Sequence, residues 1–124
     1  MSAEPPLPKS FLRPCLLLLL REQPAHGYDL LERLRRLGFV RDDPGGLYRA
    51  LRSLEADGLV RSAWEPSSEG PDRRIYELTR GGMEELHAQA KALLETREVL
   101  SLFLSRYTEF AALTPEREAA GKPR

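Results

Sequence analysis

The chain has one cysteine in 124 residues, Cys15, so an internal disulfide is excluded and no cysteine-based zinc cluster can form. In its apolar neighbourhood this thiol reads as a core residue. Only two histidines occur, His26 and His87, far apart in sequence; the first reads as a turn residue ahead of Gly27 and the second as a helix-surface residue, and neither suggests a metal ligand or a catalytic base. Charge of one sign is also lacking. Nineteen basic and nineteen acidic residues cancel, so bulk charge supplies no attraction to nucleic acid or to an acidic membrane, and any positive potential must be local. The one long apolar run, Cys15-Leu16-Leu17-Leu18-Leu19-Leu20, is too short to span a bilayer, ends in Arg21-Glu22 and is followed by no small-residue cleavage site. Ser67-Ser68 has no neighbouring base, and Gly45-Gly46 lacks the lysine of a nucleotide-binding loop. The composition therefore points to a small, non-enzymatic, cytoplasmic protein without cofactor or metal.

What is present is organised around 42–59, a helix with both ends marked. Asp43 is a good N-cap, Pro44 suits the first helical position, and Gly58 supplies the left-handed residue that ends a helix. Leu47, Leu51 and Leu54 form its apolar stripe. The opposite side carries Tyr48, Arg49, Arg52 and Ser53, all able to donate hydrogen bonds to phosphates or base edges, while Gly45 and Gly46 let the first amides approach an anion closely.

Before this helix, the Pro-rich 1–9 reads as a flexible arm. A first helix is expected from near Pro14 to the residues ahead of Gln23-Pro24, since the position before a proline leaves the α region. Apolar all round, it is either a central helix or one shared between subunits; the second use puts Leu16, Leu19 and Leu20 in a dimer contact. A second helix follows His26-Gly27 and closes at Gly38, with either Tyr28, Leu31, Leu34 and Leu37 or Leu30 and Leu34 inward. After the 42–59 helix, 59–65 and 74–78 read as strands around turn-forming 66–73. Three helices and then a hairpin is the winged helix-turn-helix plan, mainly α with a small β-hairpin, over 10–78. Arg73 and Arg74 sit at the base of the wing.

From Thr79 the helical period returns. Met83, Leu86, Ala90, Leu93, Arg97, Leu100, Leu104 and Tyr107 recur in steps of three and four, a seam that predicts a C-terminal dimerisation helix over 79–110, with a polar tail at 111–124. A small domain cannot bury so long a stripe, so a second copy of the chain is the expected cover.

Residues 10 to 110 resemble the PadR-type transcriptional regulators. The resemblance rests on His26-Gly27-Tyr28, on Pro44-Gly45-Gly46-Leu47-Tyr48-Arg49-Ala50-Leu51 with Leu54-Glu55 and Gly58-Leu59-Val60, and on Arg73-Arg74-Ile75-Tyr76 running into Leu78-Thr79 and Gly82. Lys9-Ser10-Phe11-Leu12-Arg13-Pro14 and Gly70-Pro71-Asp72-Arg73-Arg74 look like the branch described as polyhydroxybutyrate-responsive repressors. The family resemblance implies a homodimeric repressor, with Tyr48, Arg49 and Arg52 on the recognition helix and Arg73 and Arg74 on the wing. It also marks departures: Gly46 stands where the family commonly has Ser or Thr, and Arg49 where it often has Pro. The expected partners are a second copy, double-stranded DNA carrying an inverted repeat, and a small apolar or aromatic effector near Trp64 and Leu17; no membrane partner is expected. Asp42, Asp43 and Asp72 lie near the expected DNA face and oppose binding. The competing expectation is a winged-helix protein-interaction module that does not bind DNA.

Overall fold

A computed structural model of the chain describes residues 9–38 and 44–113. After a 3-10 turn at Lys9–Phe11, the elements are α1 (Leu12–Glu22), β1 (Ala25–His26), α2 (Gly27–Leu37), α3 (Pro44–Ala56), β2 (Val60–Glu65), β3 (Arg73–Leu78) and α4 (Arg80–Leu113). The chain divides into two compact units, Met1–Gln89 and Ala90–Arg124, with the division falling inside α4.

The leucine run forms the centre of the first unit. Cys15, Leu16, Leu17, Leu19 and Leu20 are all buried, and α1 packs against α2, α3 and β3 together. Leu18 alone in the run faces solvent. Of the two uses open to this helix, the structure takes the central one. Leu16, Leu19 and Leu20 are consumed within their own chain and present no surface to a second copy, which corrects their assignment to a dimer contact. A helix apolar on three sides is satisfied once three elements enclose it. Burial also pushes the Cys15 thiol up to about 11, so it stays protonated and unreactive at neutral pH.

Local chemistry sets the ends. Pro14 lies in the first turn of α1, where its missing N–H removes no helical bond. Gln23, extended ahead of Pro24, closes that helix by donating to the Leu19 carbonyl. Gly38 ends α2 at φ +114°, and Gly58 ends α3 at φ +77°. At the latter the Leu59 N–H reaches the Leu54 carbonyl and the Gly58 N–H the Glu55 carbonyl, the paired bonds of a Schellman cap. Asp42 and Asp43, expected at the start of α3, lie outside the described residues. Helix α2 buries Leu30 and Leu34 and leaves Tyr28 and Leu37 exposed, so its inner face is the narrower of the two expected.

The hairpin pairs β2 with β3 from Val60↔Leu78 to Glu65↔Arg73. A third strand was not anticipated. The two residues of β1 pair antiparallel with the other edge of β3, Ala25↔Tyr76 and His26↔Ile75, giving the order β1-β3-β2. Thr79 then turns the chain into α4: its hydroxyl donates to the Gly58 carbonyl at 2.7 Å and accepts the Gly82 N–H at 3.0 Å, an N-cap that also ties α4 to the end of α3. Leu86 packs against the core of the first unit.

Candidate nucleic-acid interface

Helix α3 buries Leu47, Leu51 and Leu54, which fixes its rotation and turns Gly45, Tyr48, Arg49, Arg52 and Ser53 outward. Gly46 is half-buried in the same first turn. These residues differ in how free they are. Arg49 and Arg52 are exposed and make no hydrogen bond or ion pair with any described residue. Tyr48 is committed along one side: its ring lies so close over Gly27 that any Cβ at that position would strike it. The glycine between His26 and Tyr28 is thus the clearance that lets the start of α2 pack on α3. Ser53 accepts a hydrogen bond from Arg13 Nη1 at 2.7 Å, while Arg13 Nη2 bridges to Asp57 at 3.0 Å. Arg13 therefore clamps α1 across the outer side of α3, a role its position in sequence gave no signal of.

The two wing arginines also part company. Arg73 is exposed and makes no ion pair with a described residue. Arg74 is half-buried: its Nε donates to Ser62 Oγ at 2.9 Å, and its guanidinium carbon lies 4.9 Å from the centre of the Trp64 ring. Ser62 in turn donates to Glu55 on α3 at 2.8 Å. Beneath them the Tyr76 phenol is buried, which raises its pKa against the opposing pull of Arg74. On the other face of the sheet, His26 Nε2 meets Glu65 Oε1 at 2.6 Å and Arg61 pairs with Glu77 at 2.7 Å, so the hairpin is braced on both sides.

Trp64 and Leu17, the residues expected near an effector, differ in their surroundings within the first unit. Leu17 is enclosed in the core, and Trp64 is an exposed wing residue stacked with Arg74. The alternation of β2 places Trp64 on the face of the sheet that Val60 and Ser62 share, two residues beyond the Ser62 that reaches α3. A groove of about 400 Å³ opens between the end of α1, the hairpin base and the start of α4. Arg21, Arg61, Glu77 and Arg80 line it beside Leu20, Leu78 and Met83, a mixed surface of charged and apolar side chains.

In the second unit, Leu93, Leu100, Leu104 and Tyr107 of the expected seam are all exposed, as are Val99, Leu102, Phe103 and Phe110 beside them. Ala90 is exposed as well, whereas Met83 and Leu86, at the start of the stripe, are half-buried in the first unit.

The family model of the "Transcriptional regulator PadR-like family" matches residues 16–88, which includes α3 and the whole wing. Transcriptional regulator Rv3488 of Mycobacterium tuberculosis is 43% identical over 76 residues, covering 60% of this chain and 69% of the relative. Among solved structures, a PadR-like transcriptional regulator from Bacillus cereus aligns with TM-score 0.70 at 26% identity, over 77% of this chain and 93% of that one. A PadR family regulator from Eggerthella lenta aligns with TM-score 0.66 at 30% identity, over 77% and 83%. The outward arginines of α3, the braced wing and these likenesses agree: the chain belongs to the PadR-like family of transcriptional regulators.

Proposed function

We propose that two copies of the chain pair along the exposed apolar seam of α4 and, as a homodimer, repress transcription by binding an inverted repeat in double-stranded DNA. The observation that carries the DNA reading is the pair Arg49 and Arg52, outward on α3 and committed to no described neighbour. In this reading α3 enters the major groove with those arginines at base edges, where arginine pairs best with guanine. The first-turn amides at Gly45 and Gly46 and the exposed edge of Tyr48 meet phosphate, and Arg73 grips the flanking backbone. Ser53 acts there only together with the Arg13 that holds it. A two-fold dimer calls for half-sites about one or two helical turns apart. The reading places the protein in the cytoplasm as a non-enzymatic regulator; none of the described helices is long and apolar enough to cross a membrane.

Three substitutions separate reading from gripping. Arg49→Ala or Arg52→Ala should relax base preference at a cost of about 1 to 3 kcal/mol against the preferred sequence, whereas Arg73→Ala should weaken all sequences alike. Titration of selected and scrambled duplexes checks both; an unchanged affinity for every variant removes α3 from the interface.

The balanced net charge favours a second reading, a module that keeps the fold and binds protein instead. A titration in rising salt decides between them. Phosphate neutralisation requires a steep linear fall of log affinity with log salt, and a protein partner a shallow one.

Relief of repression is assigned to a small apolar or aromatic molecule taken up at the dimer seam, whose exposed Phe103, Tyr107 and Phe110 offer aromatic surface. Such a molecule acts only if it binds the DNA-free arrangement better than the DNA-bound one. A screen of apolar compounds and polymer granules in which none releases the duplex removes this element.

A further inference from the structure

Four side chains link α3 to the wing as one directional chain. Arg74 Nε donates to Ser62 Oγ at 2.9 Å, and the Ser62 hydroxyl donates to Glu55 Oε2 at 2.8 Å. Every group acts in the sense its chemistry permits: the guanidinium donates, the carboxylate accepts, and the hydroxyl does one of each. At the far end the Arg74 guanidinium stacks on Trp64, its cross-strand partner. The stack is braced from below yet open above. Trp64 remains 63% exposed, and no described residue takes the Nη atoms of Arg74.

We propose that Trp64 and Arg74 form a preset grip on the sugar–phosphate backbone of duplex DNA, and that Glu55, acting through Ser62, is the positioning residue that sets it. The inference rests on the DNA-binding reading above and extends it to residues that reading leaves aside. The occupant follows from the chemistry of the pair. An open indole offers apolar surface to a deoxyribose, and the adjoining guanidinium, held at Nε, keeps its two Nη groups for a phosphate. Location agrees, because Trp64 lies on the same side of β2 as Ser62, and Ser62 reaches Glu55 on α3, three residues from the outward Arg52. Preorganisation is the gain. A surface arginine ordinarily loses side-chain freedom when it takes a phosphate, and one already held by a stack and an Nε bond loses less. The link to Glu55 also makes the angle of the wing depend on α3 itself.

Trp64 is the sole tryptophan, so intrinsic fluorescence reports on this site alone. The probe is a duplex selected by the full chain from a random pool, fluorescein-labelled for anisotropy and unlabelled for tryptophan emission. Emission is expected to change in step with anisotropy. Ser62→Ala should weaken binding about ten- to a hundredfold, the effect of a lost charge-assisted hydrogen bond, with the salt slope unchanged. Ser62→Thr, which keeps the hydroxyl on a strand that accepts β-branched residues, should restore affinity. Arg74→Lys should weaken binding at least as much as Ser62→Ala although the charge is retained, because lysine has no Nε–H and no planar face. A rise in anisotropy with no change in Trp64 emission overturns the grip and leaves the DNA reading standing. Wild-type affinity in Ser62→Ala overturns the positioning role of Glu55. Failure to recover any duplex removes the DNA reading and the grip with it.

Discussion

Under the pairing proposed above, replacing Leu100 and Leu104 together by aspartate should leave the protein monomeric and lower its affinity for an inverted repeat by roughly 10²- to 10⁴-fold, the range over which avidity exceeds single-site binding. Both side chains are more than half exposed on α4, at 53% and 56%. Covering the exposed half of each with a partner's seam would stabilise the pair by about 1 to 1.5 kcal/mol per leucine, and the two-fold axis counts every substitution twice. Aspartates facing each other across that axis add like-charge repulsion. Affinity for an isolated half-site should stay as it was, since each recognition helix is untouched. Sedimentation with full-site and half-site titrations tests this, circular dichroism confirming that α4 is still helical. A variant that remains dimeric, or that loses full-site and half-site binding equally, removes the seam from the interface.

Gly82→Ala should destabilise the first unit by about 3 kcal/mol, at the upper end of what overpacking does, while the same change one residue earlier should not. A Cβ at Gly82 would overlap the Leu59 carbonyl oxygen and press into the Leu78 side chain. Backbone cannot swing aside as a side chain can, and that carbonyl already accepts the Thr79 N–H at 3.1 Å. At Gly81 the nearest atom lies at 3.4 Å, ordinary contact, so alanine there gains helix propensity of up to about 1 kcal/mol. Two adjacent glycines are thus expected to respond with opposite signs. Urea unfolding of both variants measures the difference, and equal midpoints would show that α4 does not approach the hairpin base so closely.

Much of the fold was legible because its signals are local. Pro44 and Gly58 bracket α3, Gly38 ends α2 and the turn-forming residues 66–72 separate two strands, each through backbone preferences that act within a few residues. The stripe of α4 was equally plain. What stayed hidden lacked a local period. Strand β1 is two residues long and exists only because β3 offers it an edge. The choice between two inner faces for α2 was settled by what α1 and α3 left to cover. The leucine run announced burial but not by whom.

The candidate site divides along the same line. Residue order alone was enough to place Tyr48, Arg49 and Arg52 on the outer side of a helix, since rotation follows from Leu47, Leu51 and Leu54. Which polar groups are already engaged was decided by chain folding: Arg13 takes Ser53 from 40 positions away, and Glu55 reaches Arg74 through Ser62. Helical and strand periods repeat over a few residues and can be counted, whereas a hydrogen bond between distant side chains depends on three-dimensional approach, which no spacing in the chain encodes.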